Sequence, residues 1–176
     1  MNAIFPLAYS SILFVSLTTI CFYLVGQLRM TQKVENRLVL LEKRLQTNQN
    51  LGNNFFKLGQ IYLRKKTYEK AISCFRNSLT SWDFNDRIGL GSLYNTLGFT
   101  YFKLDQYEDA IYYYTQAIKL LPDYTLALTN LGVAYEKKKL YSEASSAYAR
   151  VLKYDENNQT ALERLSFLKT KNFLRT

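Results

Sequence analysis

The stretch "LGVAYEKKKLYSEA", residues 131–144, repeats a pattern already present in "LGFTYFKLDQYEDA", residues 97–110. Leu, Gly, Tyr, Tyr and Ala hold the same offsets in both, and the residues between them drift. A third copy stands at Leu58, Gly59, Tyr62, Tyr68 and Ala71, and its glycine lies further from Gly98 than Gly98 lies from Gly132. About five additional residues therefore separate the first and second copies, held in "SWDFNDRIGL", residues 81–90. A chain with such a period stacks like units on one another, because one unit cannot bury its own apolar face. Gly and Ala are retained where helices must touch closely, and large residues where space must be filled.

The motif residues agree one by one with the tetratricopeptide repeat, a helix–turn–helix unit of about 34 residues. The first unit carries Phe55, Leu58, Gly59, Tyr62, Ala71, Phe75 and Ser78. The second carries Tyr94, Leu97, Gly98, Tyr101, Ala110, Tyr114, Ala117 and Pro122, and the third Leu128, Leu131, Gly132, Tyr135, Ala144, Tyr148 and Val151. The chain resembles this family over about residues 52–158. Ser78 and Val151 replace the usual Ala, and Asp83 and Glu156 stand where Pro closes the second unit. The expected fold is all-α, an amino-terminal membrane helix and stalk followed by a repeat solenoid with a capping helix. "QTALERLSFLKT", residues 159–170, supplies the cap, with Leu162, Leu165 and Leu168 expected on its buried stripe.

No charged side chain occurs before Arg29, and "PLAYSSILFVSLTTICFYLVGQL" from Pro6 to Leu28 is long enough to cross a bilayer as a helix. A cleaved leader would need a basic segment before the apolar run and a small-residue site after it, and neither is present. A retained anchor is the expectation. Arg29, Lys33 and Arg37 follow it, so the body should stay on the side of synthesis. Val34, Leu38, Leu41 and Leu45 form one apolar stripe of a stalk helix, too short to specify a coiled coil. "TNQNLGNN", residues 47–54, reads as a polar hinge. The expected division is an anchor over 1–28, stalk and hinge over 29–51, repeats over 52–85, 91–124 and 125–158, an insertion over 86–90, and cap and tail over 159–176.

Lys and Arg exceed Asp and Glu by 23 to 14, a formal charge of +9. That balance suits an anionic surface or an acidic partner, and nucleic acid has no recognised motif to support it. There is no histidine, no paired-cysteine metal spacing and no Gly-rich phosphate loop. No catalytic constellation, metal or cofactor is therefore expected, and Cys74 reads as a small apolar residue. The turn lysines Lys65, Lys66 and Lys137–Lys139 read as solvated, or as leaning on anionic headgroups. In "YYY" at 112–114, Tyr114 is the repeat filler, and Tyr112 and Tyr113 should cover neighbouring helix surface.

In this fold the first helix of each unit lines the concave face. By register the lining should be Phe56, Gln60, Leu63 and Arg64 in the first unit and Asn95, Phe99, Phe102 and Lys103 in the second. Leu126, Thr129, Val133, Glu136 and Lys137 follow in the third. Chaperone-binding members of the family place Lys, Asn and Arg here to clamp a carboxylate. Phe56, Gln60 and Leu126 occupy clamp places instead, so an apolar groove with a basic edge is expected. The alternative is that the Phe rings pack on the stalk or on the 81–90 insertion.

The layout of uncharged span, basic stalk, three repeats and cap resembles the membrane-anchored tetratricopeptide assembly factors for photosystem I. That family occurs in cyanobacteria and algal plastids and is related to plant "pale yellow green". The resemblance implies a thylakoid protein, its repeats in the stroma or cytoplasm, that binds photosystem I subunits or assembly intermediates. An organelle import receptor and an exported periplasmic adaptor share parts of the layout and are the alternatives.

Overall fold

The computed structural model describes residues 4–46 and 51–173, and every element among them is an α-helix. The helices are α1 (Ile4–Gln46), α2 (Leu51–Arg64), α3 (Tyr68–Thr80), α4 (Arg87–Lys103), α5 (Tyr107–Leu120), α6 (Thr125–Lys137), α7 (Tyr141–Tyr154) and α8 (Gln159–Phe173). They divide into two units, α1 alone and the body from α2 to α8.

α1 runs 43 residues without a break, so residue 28 is not a helix end. The helix is long and apolar enough to cross a membrane within Ile12–Leu41. Ser16, Thr18 and Thr19 donate to the Leu13, Val15 and Ser16 carbonyls, which satisfies their hydroxyls inside the helix.

In the body, α2–α3, α4–α5 and α6–α7 are antiparallel pairs, each packed on the next, and α8 covers α7. Phe75, Tyr114 and Tyr148 are fully buried, and each presses on the glycine of its own unit. A Cβ on Gly59, Gly98 or Gly132 would stand 2.5, 2.7 and 2.7 Å from those rings. That contact is the physical reason the glycines recur.

The turns inside the three pairs are alike. Lys66, Asp105 and Lys139 hold φ of 59°, 58° and 61°. The following N–H groups of Thr67, Gln106 and Leu140 reach back to the carbonyls of Tyr62, Tyr101 and Tyr135. This is the six-to-one bond of a Schellman cap, here with side chains where glycine is usual.

Of the segment 81–90 that holds the insertion, residues 87–90 become the first turn of α4. Asp86 caps α4, its Oδ1 accepting from Gly89 N–H at 2.8 Å, and α4 has 17 residues against 14 in α2 and 13 in α6. Before it, Trp82 meets Phe56 edge-on at 5.6 Å. Ser78 is buried and donates to the Gly52 carbonyl at 2.7 Å, so the replacement for Ala ties α3 to the start of α2.

Two expectations are corrected. Leu51–Asn54 form the first turn of α2, with Gly52 and Asn54 buried, rather than the end of a hinge. Gly52 lies against the Ser81 carbonyl, and that packing draws the segment into the helix. The rest of the hinge, 47–50, lies outside the described residues. In α8, Ala161 and Leu168 are buried with Leu165 packed beside them, and Leu162 is 44% exposed. Leu162 stands about 100° round the helix from Ala161, beyond the reach of α7.

Candidate functional site

The first helices of the three pairs enclose an open groove of about 510 Å³. α2 contributes Gln60, Leu63 and Arg64, α4 contributes Asn95, Thr96 and Phe99, and α6 contributes Leu126 and Asn130. Leu63 and Phe99 also rest on the core, while Leu126 is 54% exposed and forms an unsupported apolar wall. Asn130 Nδ2 donates to Asn95 Oδ1 at 3.0 Å across the α4–α6 contact. That single bond leaves further N–H groups on both amides and the Asn130 oxygen for a ligand.

Cations mark one end. Arg64, Lys103 and Lys137 each stand in the last turn of α2, α4 and α6, where a positive charge suits the helix dipole. Lys103 Nζ lies 5.0 Å from the centre of the Phe99 ring. Glu136 is engaged elsewhere, accepting from Tyr148 O–H at 2.6 Å and standing 3.7 Å from Arg164 of the cap.

Of the residues expected on this face, Gln60, Leu63, Arg64, Asn95, Phe99 and Leu126 come together in the groove. The others do not line it. Phe56 tilts against Phe75 at 5.7 Å and meets Trp82, so the insertion covers its ring. Phe102 turns to Tyr107 at 5.4 Å and is no partner to Phe99 in a shared pocket. Val133 packs on the core, and the Thr129 hydroxyl donates to its own helix at Thr125. Lys103 and Lys137 are exposed at the helix ends. Thr96 and Asn130 were missed. They occupy one equivalent helix position in successive units, and that equivalence was the available signal.

Burial governs the titratable groups of the core. It pushes the Cys74 thiol up to about 11, far from the reactive thiolate. Burial also raises Tyr114 and Tyr148, and Tyr148 rises further through its bond to Glu136. Tyr114 is buried and Tyr113 stacks on Tyr101 at 5.3 Å, so both are scaffold, while Tyr112 meets Tyr113 edge-on and stays exposed. Among the described residues no group of three His, Cys, Asp or Glu could hold a metal ion.

Comparison with known proteins accords with this architecture. The tetratricopeptide-repeat family matches residues 50–123 and, through a second model, 101–166. The ycf37 protein of Guillardia theta is 36% identical over 168 residues, spanning 96% of this chain and 94% of that protein. The chain belongs to the ycf37 family of tetratricopeptide-repeat proteins. This ycf37-family chain is also 33% identical over 150 residues to the chloroplastic tetratricopeptide protein PYG7 of Arabidopsis thaliana, covering 85% of the chain and half of PYG7. Its fold is shared with the crystal structure of MamA, at a TM-score of 0.73 and 22% identity over 84% of this chain and 83% of that one. Tetratricopeptide solenoids are protein-interaction scaffolds, and this ycf37-family chain has that architecture.

Proposed function

We propose that the chain is a membrane-anchored scaffold that assists assembly or stability of photosystem I at the thylakoid membrane. The apolar helix α1 is the anchor, the repeats over 52–158 stand in the stroma, and α8 closes them. The groove holds an apolar segment of a photosystem I subunit or intermediate until its proper neighbour displaces it. The observation that carries this reading is Leu126, an exposed aliphatic side chain facing Leu63 and Phe99 across a preformed groove. Confinement to a membrane raises the groove's effective concentration near membrane-embedded clients. The chloroplastic relative and the resemblance in layout support a plastid compartment for this reading.

The test is affinity purification of the carboxy-terminally tagged chain from gently solubilised membranes, read by mass spectrometry. Enrichment of photosystem I subunits over other abundant thylakoid complexes is expected. It should fall at least about tenfold for Leu126→Asp, a loss of the size expected for an interface anchor. Helical content should stay unchanged, since Leu126 lies outside the core. Equal recovery of all thylakoid complexes, or import components in place of photosystem I, would sink the proposal.

A further inference from the structure

We infer that the insertion gives the groove a second, acidic and apolar end, so that it accepts an extended segment acidic at one end and basic at the other. The inference rests on the groove being the binding surface and deepens that reading. Ile88 stands seven residues before Asn95 and eleven before Phe99, which places all three on one stripe of α4. The additional turn thus carries the groove-lining stripe past the start of α6. Ile88 is 75% exposed and Phe84, four residues earlier in the chain, 72%, the two most exposed large apolar side chains of the described body. Helix formation does not require their exposure, and a partner that covers them explains it.

The charges are polarised along the same axis. Arg64, Lys103 and Lys137 lie at the carboxy-terminal ends of the lining helices, where Asp105 is bonded to Tyr107 and Glu136 to Tyr148. Asp83 and Asp86 precede the amino-terminal end of α4 and line a second pocket with Phe56 and Trp82, each carboxylate keeping its charge while accepting one backbone N–H. Arg87, the adjacent cation, donates to the Leu120 carbonyl at 2.8 Å. From Ile88 to Lys103 the groove axis measures roughly 22 Å at 1.5 Å per residue. An extended segment of about seven residues spans that length. The amides in the middle choose between extended and helical occupants. A helix satisfies its own backbone and would bury the spare Asn95 and Asn130 groups unpaired, whereas an extended backbone pairs with them.

The probes are nine-residue fluorescent peptides with a central Leu-Gly-Phe, added to the full chain in detergent. One type has two aspartates at one end and two lysines at the other, made in both directions. The controls carry four aspartates or four lysines at the same places. At low salt the better-bound mixed-charge direction should bind about tenfold tighter than either control, the size expected of a few exposed ion pairs. Asp83→Lys should shift the preference to the all-aspartate peptide, and Ile88→Ser should weaken the mixed peptide several-fold at unchanged helical content. Equal binding of all peptides, lost in Leu126→Asp but indifferent to Asp83→Lys and Ile88→Ser, would overturn this inference and keep the groove. Binding that survives Leu126→Asp, or no binding of any peptide, would overturn both. A peptide stapled as a helix binding tighter than its linear form would overturn the extended occupant.

Discussion

Gly98 faces the Tyr114 ring and the Ala110 carbonyl, and neither can retreat because both lie in the core. Gly98→Ala should therefore destabilise the body by about 1–3 kcal/mol through overpacking. Gly26→Ala, in open space on α1, should leave the denaturant midpoint where it is. Alkali offers a second check. Cys74, Tyr114 and Tyr148 have folded pKa values above their unfolded ones. Their neutral forms favour the fold, so the contribution is whole below the unfolded values and declines as pH climbs through them. For Cys74 the decline runs from 9.0 to about 11. Melting temperature should hold up to about pH 9 and fall steadily above it, the tyrosines joining from about pH 10. Cys74→Ala should flatten the first part of that slope; an unchanged slope would remove the thiol from the account.

The helix pairs were legible because their signals are steric. Gly59, Gly98, Gly132 and the facing alanines admit no other residue sizes, so sequence alone placed them. Faces of helices were legible and the reach of side chains was not. Phe56 has the register of a groove residue, but Trp82, brought back by the insertion, claims its ring. Glu136 has the same kind of register and is taken by Tyr148 and Arg164. Leu162 lost its expected place to Ala161 because the cap meets α7 along a face one residue over. Leu168→Ala should accordingly cost about 2–5 kcal/mol, while Leu162→Ala should change stability by less than about 0.5 kcal/mol. The caps give a change of opposite sign. Lys66 and Lys139 hold left-handed backbone that glycine adopts freely, so Lys66→Gly and Lys139→Gly should each stabilise by about 0.5–1 kcal/mol in denaturant melts. Asp105→Gly should gain less, because Tyr107 O–H donates to the Asp105 carboxylate at 2.5 Å.

Across the whole body, contacts run between neighbouring helices, with a smaller contact of α4 on α6. Stability then propagates along the stack and is lost from an uncovered end. Ending the chain after Asn158 removes α8 from α7 and takes Arg164 from Glu136. Hydrogen exchange should quicken most in α6 and α7 and least in α2 and α3. Uniform loss of protection would mean the body unfolds as one block. The nearest-neighbour arrangement also bears on how the protein comes into being. Synthesis delivers the apolar helix α1 first, then the pairs in order, each finding its partner in chain already made. The groove draws on residues 60–130 alone, so its walls exist before the last helix has been translated. The groove is thus complete in a nascent chain whose carboxy-terminal end is still being added.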